Sequence, residues 1–186
     1  MVGNIPNYDS IDVVRVLFQI KSPVSRYDLM KRVGLGEGTI RSILDILKKN
    51  KMITSDKKGH ALSKKGSDMI NQLAKTMSFP KQVFLKMYEK EKSSSLLLKN
   101  IKCKRSGCRE RDIAVKNGSN GALLFKGNFI IEGYNFKELE KEYKKLNRND
   151  LLIVCFADNY NTAERSVIAV AYALNIRLNK VICSLA

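Results

Sequence analysis

Stretches in which apolar residues recur every three or four positions alternate along this chain with short runs that are apolar throughout. Near the N-terminus, Ile11, Val13, Val14, Val16, Leu17 and Ile20 predict a helix with a broad buried face. Asp9 or Ser10 can cap it, and Lys21-Ser22-Pro23 ends it, because the residue before a proline is driven out of helical dihedrals. Ser25-x-x-Asp28 is close to a capping box and opens a second helix with Tyr27, Leu29, Met30 and Val33 as apolar positions. Gly34-Leu35-Gly36-Glu37-Gly38 then permits a sharp turn. In a third helix, Ile40, Ile43, Leu44 and Leu47 form one apolar stripe, and Thr39, Arg41, Ser42, Asp45, Lys48 and Lys49 take the other face. Two short apolar runs, 52–54 and 60–62, flank Ser55-Asp56-Lys57-Lys58-Gly59 and predict a hairpin. Ser63 can cap the helix that follows, where Met69, Ile70, Leu73 and Met77 lie at helical spacing.

The pattern breaks at Ser78-Phe79-Pro80, and residues 79–94 read as a linker between a first domain, 1–78, and a second, 95–186. The second half predicts a strand at 95–101 and a helix at 107–117. Strands at 122–125 and 129–132 would form a hairpin about Lys126-Gly127-Asn128. A charged amphipathic helix follows at 136–146. Residues 151–157 (LLIVCFA) form a continuous apolar run suited to the middle of a covered sheet. A long helix at 161–174, with Asn161-x-x-Glu164 as its cap, and a last strand at 181–184 complete the reading. The expected class is α+β in two domains, the second a small α/β domain with a mixed sheet.

Helix, turn, helix, hairpin with a basic tip, and Leu62-Ser63-Lys64-Lys65-Gly66 entering a further helix resemble the winged helix-turn-helix of prokaryotic transcription regulators. The resemblance implies that 38–49 is the recognition helix, that 56–60 is the tip of the wing, that double-stranded DNA is the partner and that the protein is a homodimer. Thr39, Arg41 and Ser42 would then stand near base edges, and Lys48, Lys49, Lys57 and Lys58 on phosphates. The same residues also read as a solvated helix face and a soluble turn; the wing and the net charge favour contact. The second half is similar to a domain of unknown function that archaeal proteins carry behind a winged helix. That likeness rests on Gly107, Arg111-Asp112, Ala114, Lys116-Asn117-Gly118, Gly121-Ala122 and Phe156-Ala157-Asp158. It implies an archaeal, cytoplasmic regulator and names no ligand.

Composition adds a partner class. The chain has 34 basic and 18 acidic side chains, a net charge of +16, which favours a polyanion. The excess is spread over both halves, so it does not single out the binder. No charged start followed by an apolar run marks a signal peptide, and the longest apolar run, 167–174, is too short to span a bilayer. A cytoplasmic protein with reduced cysteines is expected, and no membrane partner.

Two stretches of the second half are candidates for binding. Lys99, Lys102, Lys104, Arg105, Arg109 and Arg111 crowd a strand end and a helix start, where Asp112 could orient Arg109 or Arg111. A small anionic effector and a merely solvated basic loop are both open there. Asp158 follows the most apolar strand and is a candidate ligand or metal residue, although a turn or capping role is more common. Cys103-x4-Cys108 with Cys155 and Cys183 fits no zinc spacing well, and GxGxxG, P-loop, GxSxG and HExxH motifs are absent. With His60 the only histidine, no catalytic residue, metal or cofactor is assigned.

The expected function is a DNA-binding transcription regulator whose second domain dimerises or senses a small anionic ligand. Two alternatives are an enzyme on an anionic metabolite with an appended winged helix, and a winged-helix module that binds protein or RNA.

Overall fold

The computed structural model describes residues 8–101 and 107–185. The chain divides into two compact units, 1–72 with 179–186, and 73–178. The class is α+β, helical in its first part and built on a helix-covered sheet in its second.

The first unit begins with α1 (Ser10–Gln19), α2 (Arg26–Val33) and α3 (Glu37–Lys49). Asp9 and Asp12 form a reciprocal capping box at the start of α1, satisfying amides that have no partner inside the helix. Arg15 is buried on α1, where it bonds Asp12 at 3.0 Å and donates to the Val33 carbonyl at 2.9 Å. The end of α2 is thereby fixed to α1. Gly34 closes α2 in the left-handed conformation, φ 71°, which glycine adopts without a Cβ penalty. The predicted stripe of α3 is real: Ile40, Ile43, Leu44 and Leu47 are at most 1% exposed. Each such burial is worth roughly 1.5–3 kcal/mol before the entropy of ordering is counted.

A hairpin of β1 (Ile53–Asp56) and β2 (Gly59–Leu62) follows, one residue longer on each strand than expected, with Lys57 and Lys58 as its two-residue turn. The Lys58 amide donates to the Asp56 carboxylate at 2.7 Å. Val24, between α1 and α2, forms an isolated bridge with His60 of β2. Next, α4 (Lys64–Ala74) starts so close to the Met52 carbonyl that only glycine fits at position 66.

The second unit contains β3 (Lys81–Val83), β4 (Lys92–Leu98), α5 (Cys108–Lys116), β5 (Gly121–Lys126), β6 (Ile130–Ile131) and β7 (Tyr134–Asn135). It continues through α6 (Lys137–Tyr143), β8 (Leu151–Ala157), α7 (Tyr160–Leu174) and the start of α8 (Ile176–Leu185). Its sheet has the order β3-β4-β8-β5. Leu152 and Val154 of β8 pack with Leu85, Phe125, Phe129, Phe136, Leu139 and Leu146 on one face. The other face lies under α7, whose Val167, Ile168 and Ala171 are fully buried.

Five expectations are corrected here. The sheet is antiparallel at every pairing rather than mixed. The helical crossover through α5 does make β4 and β5 parallel to each other, but β8 lies between them and opposes both. Residues 79–94 are no linker: they supply β3, the start of β4, and Leu85, which is 1% exposed in the core. Lys126-Gly127-Asn128 joins no hairpin, since β5 pairs with β8, while β6 pairs with β7 about Glu132 and Gly133. The last predicted strand lies within α8, where Leu178, Val181, Ile182 and Leu185 fall at helical spacing. The α7 cap is Asn159, which accepts from Thr162, instead of Asn161.

Candidate nucleic-acid interface

With its apolar stripe buried, α3 turns Arg41, Ser42, Asp45, Lys48 and Lys49 outward. Arg41 is not free: it pairs with Glu37 one turn earlier at 3.2 Å, and the same carboxylate oxygen takes Arg26 of α2 at 3.1 Å. Glu37 therefore clips together two arginines from different helices. Ser42 donates its hydroxyl to the Gly38 carbonyl at 3.1 Å, and Thr39 is half-buried. Lys48 lies 3.9 Å from Asp45, a loose surface pair. Lys49 is exposed at the end of α3, and Lys57 and Lys58 are exposed at the hairpin turn.

His60 reports the electrostatics of this region. Its Nδ1 lies 2.7 Å from the Ser55 hydroxyl across the hairpin. Its pKa is lowered from 6.5, first by burial and then by the positive charges of Lys48 and Arg26, with Asp45 opposing. The charges of Lys48 on α3 and Arg26 on α2 are thus felt at the base of the hairpin. The Arg15 contacts and the Glu37 clip were missed in the sequence, where charged residues on helices read as surface.

In the second unit, Arg109, Arg111 and Asp112 are exposed on α5. Helical geometry turns each successive residue by about 100°, so Arg109 and Arg111 diverge. Asp112 forms no ion pair with either, contrary to the expectation that it orients one of them. Arg105, with Lys102 and Lys104, lies outside the described residues. Between the two arginines, Glu110 is 1% exposed with neither carboxylate oxygen hydrogen-bonded. Its one legible signal was its position one turn before the buried Ala114.

Asp158 is exposed and accepts from the Asn120 side-chain amide at 3.0 Å, which also reaches Glu91 at 3.3 Å. It belongs to a polar corner beyond β8. Cys155 is buried on β8, and burial pushes its thiol up to about 12, partly offset by the Ser119 hydroxyl. Among the described residues no group of three His, Cys, Asp or Glu could hold a metal, and no helix is long and apolar enough to cross a membrane.

Comparison with known proteins places this geometry. Residues 10–68 match the PH0730-like, N-terminal domain, and residues 89–176 match a domain of unknown function, DUF4443. The hypothetical protein PH0730 from the archaeon Pyrococcus horikoshii OT3 superposes with a TM-score of 0.77 at 26% identity, covering 96% of this chain and 100% of that one. The two chains share one fold. An IclR transcriptional regulator from Alicyclobacillus acidocaldarius, 11% identical over 95% of this chain and 98% of that one, gives a TM-score of 0.33, which establishes no common fold. No curated protein matches the sequence. The expected pairing of a small helical domain with an uncharacterised second domain is met, and the second match begins at residue 89, inside the stretch read as a linker.

Proposed function

We propose that the chain is a DNA-binding transcription regulator. Its first unit is a winged helix that lays α3 in the major groove of duplex DNA and sets the β1–β2 hairpin along the neighbouring backbone. The observation that carries this reading is the polar face of α3, which exposes Arg41, Lys48 and Lys49, in a chain whose hairpin exposes Lys57 and Lys58 at its turn. The buried stripe of α3 leaves only its polar face for a partner. Arg41 reaches base edges once it leaves Glu37. That release costs little, since an exposed pair is worth under about 1 kcal/mol whereas a bidentate arginine–guanine contact is worth roughly 1–3.

Lys48, Lys49, Lys57 and Lys58 neutralise phosphates, and Thr39 and Ser42 border the base edges, Ser42 after turning its hydroxyl away from Gly38. In this reading the chain acts in the cytoplasm as a homodimer on two half-sites. The second unit dimerises or senses a small anion and has no catalytic role.

Selection of duplexes from a random pool, followed by affinities at several salt concentrations, tests the proposal. An enriched palindromic site is expected, with a slope of about −0.9 in log affinity for each phosphate neutralised. Arg41→Ala should relax base preference, and Lys57→Ala/Lys58→Ala should shallow the slope. No enriched site, with affinity unchanged in both variants, would overturn the assignment.

A further inference from the structure

The second unit holds a cleft of about 550 Å³ away from α5 and Asp158, lined by the turn after α4, the end of β4 and the junction of α7 with α8. That volume lies within the range of small-ligand sites. Three of its lining residues are cations, Lys75, Lys99 and Arg177, and none of those among the described residues is acidic. Among the described residues the Lys99 ammonium reaches only the Ala74 carbonyl, at 3.4 Å. The side chains of Lys75, Asn100 and Arg177 have no hydrogen-bond or ion-pair partner among the described residues. Three exposed cations from separate segments thus border one cleft.

The backbone around these charges is fixed. Asn175 is 4% exposed, and its side-chain oxygen accepts from the Arg177 and Leu178 amides at 3.0 and 3.1 Å. Those two bonds set the orientation of its amide and leave Nδ2 as a buried donor without a partner. The same bonds start α8, whose positive dipole end adds to the local field. On the opposite rim, Asn100 holds a left-handed conformation, φ 56°, with its amide donating to Asp150 at 3.2 Å. The Asp150 carboxylate is engaged by that amide and by Asn147, which gives it backbone and side-chain bonds of 3.2 and 2.7 Å. Thr76 fixes Lys99 by accepting its amide at 2.8 Å. Fixed backbone, free cationic side chains and room between them are what an anion site needs.

We infer that this cleft binds a small anion of at least two negative charges, a phosphate ester or polycarboxylate, held by Lys75, Lys99 and Arg177 with Asn100 as a neutral donor. The inference gives the second unit a ligand site of which the sequence had singled out only Lys99, and it does not depend on the DNA reading, because no nucleic acid enters its test.

The test is titration of the full-length chain with inorganic pyrophosphate and, separately, citrate. Calorimetry gives the affinity and backbone amide shifts give the place. Pyrophosphate or citrate should move the amides of Thr76, Asn100 and Arg177, and the ranking of the two names the ligand class. Lys99→Gln/Arg177→Gln should weaken binding at least tenfold. Lys90→Gln/Lys116→Gln, which removes the same charge from exposed positions outside the cleft, should leave it within twofold. Lys75→Gln serves as a single, exposed substitution should the double variant fail to fold. Unchanged affinity in the folded cleft variants, shifts confined to the first unit, or no binding of either anion would overturn the inference.

Discussion

Val24 and His60 exchange two backbone hydrogen bonds, with the Val24 amide 3.0 Å from the His60 carbonyl and the His60 amide 2.8 Å from that of Val24. The loop between α1 and α2 thus becomes a third rung beside the hairpin, and the hairpin cannot swing freely from the helices. The residue next to the bridge, Gly59, has φ 119°, and a Cβ there would stand 2.5 Å from the Val24 carbonyl oxygen.

Gly59→Ala should therefore destabilise the first unit by roughly 2 kcal/mol or more, through both backbone strain and the collision with Val24. Gly38→Ala is the contrast, because a Cβ there meets nothing within 4 Å and the position lies inside α3. It should stabilise by about 0.5–1 kcal/mol through helix propensity. Denaturant midpoints of the two variants read out both effects.

Glu37→Gln should strengthen duplex binding. The substitution frees Arg26 and Arg41 together and removes a negative charge from the polar face of α3. A gain of about fivefold at low salt, shrinking as salt rises, is the size expected for one exposed charge near phosphates. Fluorescence anisotropy across a salt series would show it, and a loss of affinity would mean that Glu37 positions the arginines for contact.

His60 predicts a pH dependence with a definite sign. Its folded pKa lies below its ordinary value of 6.5, so on acidification the unfolded chain takes up this proton first. Stability is flat above 6.5 and falls as pH drops from there through the folded pKa. His60→Gln should flatten that slope in urea titrations carried from pH 6.5 downward. A phosphate backbone against the wing would offset Lys48 and Arg26, so adding duplex should raise the His60 pKa, as read from its imidazole resonances.

Cys155 should resist alkylation in the native protein, whereas Cys108, exposed at the start of α5, should react. With the Cys155 thiol pushed up to about 12, almost no thiolate is present near pH 8, and burial also blocks the reagent. Peptide mapping after iodoacetamide should find Cys155 labelled only once denaturant is added.

Local periodicity made much of the first unit legible. The stripe from Ile40 to Leu47 and the turn at Lys57-Lys58 are each written within a few residues. Strand order in the second unit was not legible, because β8 meets β4 and β5 only across long stretches of sequence and nothing in LLIVCFA distinguishes an antiparallel neighbour from a parallel one. The ion pairs were lost for a similar reason. Arg26 and Glu37 lie on different helices, and Arg15 reads as surface until the carbonyl of Val33 is brought beneath it. Only Lys99 of the cleft stood out in the sequence, since its three charges come from three separate segments. Of the arginines that did stand out, Arg109 and Arg111 are two positions apart on α5 and so lie on different faces of it, while Arg105 lies outside the described residues.

The position of β8 has a consequence for synthesis on the ribosome. It is the last strand of its sheet to be made, yet β5 has no other neighbour and β4 has only the three-residue β3 on its far side. Until residue 157 clears the exit tunnel, the nascent chain carries apolar strands with open edges, the state most prone to pairing with another chain. A chain stopped before Leu151 would keep that liability permanently, and it would also lack residues 179–186, which belong to the first unit.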